Sequence, residues 1–282
     1  MGVTPYTGGS GCIIACSREA KSFGVKTGDR VSEARNKCPY IVILESRPDL
    51  YLFYHREIFS ALSKFSPWIT PLSIDEFKII LKGRDKSLAE SLKIAKEIKF
   101  EINKKADYLK CSVGIGPNMF LAKVAAESKK PDGLTVCKLE NLDDFYKKIK
   151  LRDMPGINFQ MEKKLAECKI YTASDFYNSS FIFLRNILGH LGKAWHYRLR
   201  GFEVDGFQTK NKSVGHSHVL APEMRSREMA LSVLKKLAIK TAYRLRRENL
   251  WAGGVAVYIS FMNGGKFYDF KKIGRASCRE RV

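Results

Sequence analysis

Two carboxylates stand side by side in Ser73-Ile74-Asp75-Glu76. Such a pair offers hard oxygen ligands to Mg²⁺, and two metal ions held this way can activate an attacking hydroxyl and steady a leaving pyrophosphate. The apolar run around them predicts a strand from Leu72 to Leu81. Neighbouring strand residues face opposite ways, so both carboxylates reach one centre only at a strand end or an irregularity. Taken alone, the tetrapeptide is more simply read as two solvated carboxylates on a sheet edge, so its meaning depends on what accompanies it.

The companion is the segment Cys111-Ser-Val-Gly-Ile-Gly-Pro-Asn-Met-Phe-Leu-Ala-Lys-Val-Ala-Ala-Glu-Ser-Lys-Lys-Pro-Asp-Gly-Leu-Thr-Val136. It predicts a strand over Cys111–Ile115, a helix over Asn118–Lys129, the turn Pro131-Asp132-Gly133 and a strand over Leu134–Cys137. A strand ending in Ser-Val-Gly-Ile, a helix bearing Asn-x-x-Leu-Ala-Lys and a following Lys-Pro-Asp-Gly resemble the signature of the Y-family, DinB/UmuC-type translesion DNA polymerases. That family places Ser-Ile-Asp-Glu a few dozen residues upstream, as here. The resemblance implies that Asp75 and Glu76 are catalytic metal ligands for Mg²⁺ and that Lys130 contacts the incoming deoxynucleoside triphosphate. An ammonium suits that contact as a mobile point charge. Lys123 is read as a supporting or DNA-facing residue, or as an ordinary surface lysine.

Further segments extend the resemblance over nearly all of residues 11 to 272. Ala15-Cys-Ser-Arg-Glu-Ala-Lys-Ser-Phe-Gly-Val25 is similar to the family's fingers, which puts Lys21 on the triphosphate and Arg18 where many DinB members carry a tyrosine. Met154-Pro-Gly-Ile-Asn-Phe-Gln-Met-Glu-Lys-Lys-Leu165 resembles the helix-hairpin-helix of the thumb, whose backbone N–H groups meet a DNA phosphate. Gly156 and Asn158 form that hairpin, Asn158 replacing the usual second glycine because Asn tolerates left-handed geometry. Lys212-Ser-Val-Gly-His-Ser-His218 resembles the start of the little finger, with Lys212, Ser213 and His216 on DNA. A metal on His216 and His218 is the alternative, ranked below DNA contact or plain surface. The strand carrying the family's first catalytic Asp does not appear before Cys12, nor does the aromatic run that follows it. The chain as it stands is therefore expected to bind metal and nucleotide poorly.

The elements that must position these residues follow from periodicity. Met1 to Ser10 reads as a loop leading into a short strand, Cys12–Ala15. Ser17–Phe23, Arg30–Lys37 and Arg47–Lys64 read as helices, and Lys86–Lys104 as an amphipathic helix with Leu88, Leu92, Ala95, Ile98 and Ile102 on one face. The order strand, helix, strand, helix, strand over the middle predicts a sheet with helices on one face. From Leu139 to about Phe207 the pattern is short helices punctuated by glycine. Beyond it, Ser213–Leu220 reads as a strand, Met224–Arg247 as a long helix and Gly254–Phe261 as a strand. Lys236, Lys240, Arg244 and Arg247 share one stripe of that helix, fit to track a phosphate backbone or simply a solvated face.

The fold class expected is α/β (α+β), and the resemblance implies a right-hand polymerase architecture: 1–70 a partial palm strand with fingers, 71–137 palm, 138–207 thumb with the helix-hairpin-helix, 208–272 an incomplete little finger. Residues 273–282, IGRASCRERV, read as a non-native tail, because they back-translate into a common sequencing-adapter read.

Composition agrees with a polyanionic partner. The 282 residues carry 50 Lys and Arg against 29 Asp and Glu, a formal charge of +21, which favours nucleic acid through long-range attraction and counterion release. Between Asn211 and Lys272 there are twelve basic and four acidic residues. Seven cysteines without ligand spacing to histidine exclude a disulfide framework and a zinc site, and point to a reducing cytoplasm; the resemblance implies association with the nucleoid. No apolar run approaches membrane-spanning length. The resemblance implies primer-template DNA and deoxynucleoside triphosphates as partners, together with a sliding clamp bound through a segment beyond this chain. The rival readings are a non-catalytic polymerase-like accessory protein and a helix-hairpin-helix glycosylase. The second leaves the pairing of Ser-Ile-Asp-Glu with Lys-Pro-Asp-Gly unexplained.

Overall fold

A computed structural model describes residues 1–4, 11–106, 108–204, 213–261 and 263–273. The chain divides into two compact units, Met1–Gly206 and Phe207–Val282.

The first unit opens with β1 (Gly2–Thr4), β2 (Ala15–Cys16), α1 (Arg18–Ser22), α2 (Val31–Lys37) and β3 (Ile43–Glu45). The expected opening loop is thus corrected at Gly2–Thr4. That strand is central to a three-stranded sheet, antiparallel to β2 and parallel to β3. Three residues are too few for a period of two to show in sequence, which hid β1 and β3 alike. Ile13, Ala20, Val25, Val31, Ala34, Cys38 and Ile41 close a small core between this sheet and the two helices.

Next come α3 (Pro48–Leu62), β4 (Ile69–Pro71), β5 (Phe77–Ile79), α4 (Leu88–Asn103), β6 (Val113–Ile115), α5 (Met119–Ser128) and β7 (Leu134–Val136). Proline opens α3 where its missing N–H costs nothing. The Ser87 and Asn118 side chains cap α4 and α5 by accepting from Glu90 and Leu121 N–H. The single strand expected over Leu72–Leu81 is a hairpin instead, β4 and β5 antiparallel with residues 72–76 as the connecting loop. The expected single sheet is likewise two ladders, β4–β5 antiparallel and β6–β7 parallel. Both share one core: Leu62, Ile98 and Ile102 of α3 and α4 pack with Ile69, Phe77, Ile79 and Val113. The buried stripe of α4 is Ser91, Ala95, Ile98 and Ile102; Leu88, in the first turn, is exposed.

Five short helices complete the unit: α6 (Leu142–Lys147), α7 (Phe159–Glu167), α8 (Ala173–Asn178), α9 (Phe181–Leu188) and α10 (His190–Leu199). Asn158, Thr172 and Ser180 cap three of them. Their core is continuous with α5, since Phe120, Leu121 and Val124 pack in one cluster with Tyr146, Leu165, Phe176, Trp195 and Leu199.

The second unit contains α11 (Arg227–Arg247), capped by Ser226, and an antiparallel pair, β8 (Gly254–Ser260) and β9 (Lys266–Lys272). Residues 213–220, expected as a strand, lie in no sheet of the described residues. Alternation alone does not make a strand, because its N–H and C=O groups need a neighbouring ladder. Among the described residues no helix is long and apolar enough to cross a membrane.

Candidate functional site

The carboxylate pair sits on the β4–β5 hairpin loop, the kind of irregularity that both side chains require to share one side. Leu72 N–H and Ser73 N–H both donate to the Glu76 carbonyl, at 2.8 and 3.3 Å, closing the loop. Ser73 Oγ donates to Asp75 Oδ1 at 2.7 Å and fixes that carboxylate. A residue of α3 buttresses the same loop from outside: His55 Nδ1 lies 2.8 Å from the Ile74 carbonyl, and its ring stacks on Phe77 with centroids 5.0 Å apart.

Glu76 Oε2 pairs with Lys123 Nζ at 2.7 Å, so the ion pair joins the hairpin to α5, 47 residues downstream. Both side chains are about a third exposed, 35% and 38% for Lys123 and Glu76, and solvent screening keeps such a pair modest in energy. Its value is positional. Helix α5 in turn lies against β6 at Gly114, where a Cβ would fall 1.9 Å from the Ala122 carbonyl oxygen. Only glycine permits that approach. Asn118 does more than cap this helix. Its Oδ1 accepts from Leu121 N–H at 2.8 Å while Nδ2 donates to the Arg198 and Phe202 carbonyls at 2.8 and 2.9 Å. Both protons and the oxygen of this buried amide are thereby engaged.

Beyond α5 the chain turns through Lys130 to Gly133. Lys130 is exposed and, among the described residues, pairs one turn back with Glu127 at 2.6 Å. The turn itself is held by Lys99 of α4, whose ammonium donates to the Cys111 carbonyl at 2.8 Å, the Asp132 carbonyl at 2.6 Å and the Asp132 carboxylate. The Lys99 hydrogen bond holds the Asp132 carboxyl below its ordinary range. Burial raises the nearby Cys111 thiol and pushes Cys137 up to about 12, so neither is a thiolate nucleophile. Sequence reasoning missed Lys99 and His55, because each makes its contacts to residues distant in the chain and lies in no local pattern.

Arg18 and Lys21 are exposed on α1, one turn apart and so on one side of it, with Ala20 buried beneath. Among the described residues neither has an ion-pair partner within 4.0 Å. In the hairpin ahead of α7, Gly156 takes φ +93° against Trp195. The preceding element is a single 3-10 turn, Leu151–Asp153. Asn158 has φ −89° and ψ 176°, which corrects the expectation that it replaces glycine in left-handed geometry. It is extended and serves as a cap, its Oδ1 accepting from Met161 N–H at 2.9 Å.

In the second unit Ser213, His216, Lys236, Lys240 and Arg247 are exposed. Arg244 turns back to the Gly215 carbonyl at 3.1 Å. Lys212 lies outside the described residues, as does the tail from residue 274. Among the described residues no group of three or more His, Cys, Asp or Glu is placed to hold a metal, which leaves His216 and His218 without a third such ligand.

Comparison with known proteins gives one result throughout. The chain is 34% identical over 271 residues to DNA polymerase IV of Moorella thermoacetica, covering 94% of this chain and 66% of that protein. It is 30% identical over 271 residues to DNA polymerase IV 1 of Bacillus subtilis, covering 95% and 64%. It therefore spans slightly under two thirds of the length of these relatives. A Y-family DNA polymerase chimera of Dbh and Dpo4 superposes with a TM-score of 0.80, covering 97% of this chain and 80% of that one, at 24% identity, a likeness of fold. The impB/mucB/samB family model matches residues 2–127, and the model of its C-terminal domain matches residues 211–281. With the first family domain spanning the hairpin and nearly all of the glycine-packed helix, and the C-terminal domain following it in order, the chain belongs to the impB/mucB/samB family, the DinB-type Y-family polymerases.

Proposed function

We propose that this chain carries the catalytic palm of a DNA polymerase that extends a primer 3′-hydroxyl opposite a template, including across damaged bases. The observation that carries the reading is the Lys123–Glu76 pair. It sets the carboxylate hairpin beside the helix that leads into the Lys130 turn, so a metal-binding pair and a triphosphate-binding cation issue from one framework. The donors suit Mg²⁺: both are carboxylate oxygens, partly open to solvent, and Mg²⁺ is commonly held by one or two carboxylates plus substrate phosphates. When bound there by Asp75 and Glu76, Mg²⁺ would supply charge for the attacking and leaving oxygens.

The chain's own residues then divide the remaining work. Ser73 orients Asp75 by its hydrogen bond, and His55 steadies the loop through the Ile74 carbonyl. Lys130, with Lys21 and Arg18 from the fingers, neutralises triphosphate oxygens. Backbone N–H groups between Gly156 and Asn158 meet a DNA phosphate. Lys212, Ser213, His216 and the stripe Lys236, Lys240, Arg244 and Arg247 track the sugar-phosphate backbone. In this reading residues 1–70 serve as fingers with a partial palm strand, 71–137 as palm, 138–207 as thumb and 208–272 as part of a little finger, acting in the cytoplasm on the nucleoid. With a formal charge of +21, DNA affinity is expected to fall steeply with salt.

The test is primer extension with Mg²⁺ and deoxynucleotides, using the complete reading frame that contains this chain, alongside its Asp75→Ala and Glu76→Ala variants. Extension that each substitution abolishes, with DNA binding intact, supports the reading. A complete protein that binds primer-template but never extends it replaces this reading with that of a non-catalytic accessory protein.

A further inference from the structure

We propose that Lys99 is the positioning residue for the triphosphate-binding turn, fixing where Lys130 presents its charge; the inference rests on the polymerase reading above. Lys130 is exposed and its ion-pair partner, Glu127, lies three residues back in the last turn of α5, so that pair does not fix the turn against the rest of the palm. Lys99 does. It belongs to α4, yet all three of its N–H donors are used on residues 12 and 33 positions downstream: the Cys111 carbonyl at the entry to β6, the Asp132 carbonyl and the Asp132 carboxylate. A single ammonium thus ties a helix, a strand entry and the turn together. Its side chain is only 20% exposed, against 55% for Lys130.

The backbone of the turn shows what this tie holds in place. Asp132 takes φ +58°, a left-handed conformation that non-glycine residues seldom adopt. Both its carbonyl and its carboxylate close on Lys99, so side chain and main chain are fixed by the same group. The Ser112 hydroxyl adds two longer contacts, to the Lys129 carbonyl at 3.5 Å and from Gly133 N–H at 3.3 Å. Lys130 therefore lies between two anchored points, Lys129 and Asp132, and the stronger anchor is Lys99. Removing the ammonium frees Asp132 to leave φ +58° and displaces Lys130, although Lys99 itself never touches the nucleotide.

The experiment is single-nucleotide insertion by the complete polymerase, measuring kcat and KM for the deoxynucleotide in wild type, Lys99→Met, Lys99→Arg, Lys130→Ala and the Lys99→Met/Lys130→Ala double variant. Lys99→Met is expected to raise KM about tenfold with little change in kcat, Lys99→Arg to recover part of the loss, and the double variant to be no worse than Lys130→Ala. Asp132→Asn, which tolerates left-handed geometry and keeps the carbonyl contact, serves if Lys99→Met fails to fold, and is expected to raise KM to a smaller extent. An unchanged KM in the folded Lys99→Met or Asp132→Asn variant, or effects of Lys99→Met and Lys130→Ala that multiply, overturns the proposal while leaving the role of Lys130 standing. An unchanged KM in Lys130→Ala overturns that role, and the proposal with it.

Discussion

Gly114→Ala is the substitution whose cost can be worked most directly from the geometry. The added Cβ would lie 1.9 Å from the Ala122 carbonyl oxygen and 2.4 Å from the Ala126 nitrogen, whereas ordinary contact begins near 3.4 Å. Both obstacles are backbone, so no rotamer relieves them, and α5 must lift from β6 by about 1.5 Å, the difference between 3.4 and 1.9. Such a lift opens the contacts of Phe120, Leu121, Val124 and Ala125, all buried. Overpacking costs about 1–3 kcal/mol, and a gap of 1 Å forfeits up to half of each dispersion contact along the helix, giving about 4 kcal/mol in all. That is a large share of the roughly 5–15 kcal/mol that holds a domain folded.

The assay is urea denaturation followed by the fluorescence of Trp195. This residue is 2% exposed and sits 5.3 Å from the Phe120 ring in the same core, while Trp68 is about half exposed and Trp251 largely so, and both should emit at longer wavelength. Gly83→Ala is the control: it has φ +57° but nothing within 4 Å of the added carbon, so it should cost only about 1 kcal/mol of backbone strain. The ion pair of Lys123 with Glu76 rides on the same helix, so the Gly114 variant should also lose nucleotide insertion under conditions where it remains folded. If Gly114→Ala lies within about 0.5 kcal/mol of Gly83→Ala, the close approach of helix and strand is refuted.

Asn118→Ala should destabilise the first unit by about 3 kcal/mol, because it removes a helix cap together with the two hydrogen bonds to the Arg198 and Phe202 carbonyls, a loss measurable by the same denaturation. Tyr146→Phe deletes one buried hydrogen bond, from its hydroxyl to the Leu199 carbonyl at 2.8 Å, and should cost about 1–2 kcal/mol while leaving nucleotide insertion unchanged. His196 has its pKa held below the ordinary value by burial first and then by Arg200, and its Nδ1 is buried without a hydrogen-bond partner among the described residues. The folded state therefore binds fewer protons than the unfolded one, and stability should fall as pH drops below about 6.5. His196→Leu should flatten the slope of the denaturation midpoint against pH in that window; an unaltered slope would dismiss the assignment.

The helices were largely legible because their signals are local. Ser17, Ser87, Asn118, Ser180 and Ser226 each sit one residue before a helix and cap it. The strands were less so. Gly2–Thr4 and Ile43–Glu45 are too short to express a period, and residues 213–220 express one without lying in a ladder. Glycine at 114 could be read as part of a motif, but the backbone it faces could not. The Asp75–Glu76 pair was visible, and so was its need for an irregular backbone, yet the contacts that arrange it come from His55, 19 residues upstream of Ile74, and from Lys123, 47 residues beyond Glu76. Asn158 shows the opposite limit, since its identity suggested one backbone role and it performs another.

The amide of Asn118 also sets an order of events during synthesis. Its two acceptor carbonyls lie 80 and 84 residues further along the chain. At elongation rates of about 5–20 residues per second, roughly 4–17 s separate the making of Asn118 from that of its partners. Until then the N-terminus of α5 has only its own cap, and Phe120 and Leu121 wait without Trp195 and Leu199. The helix that bears the signature motif is thus completed by the last helix of its unit. A nascent chain paused between these points would display that apolar face, a surface for chaperones to hold and for a second nascent chain to meet.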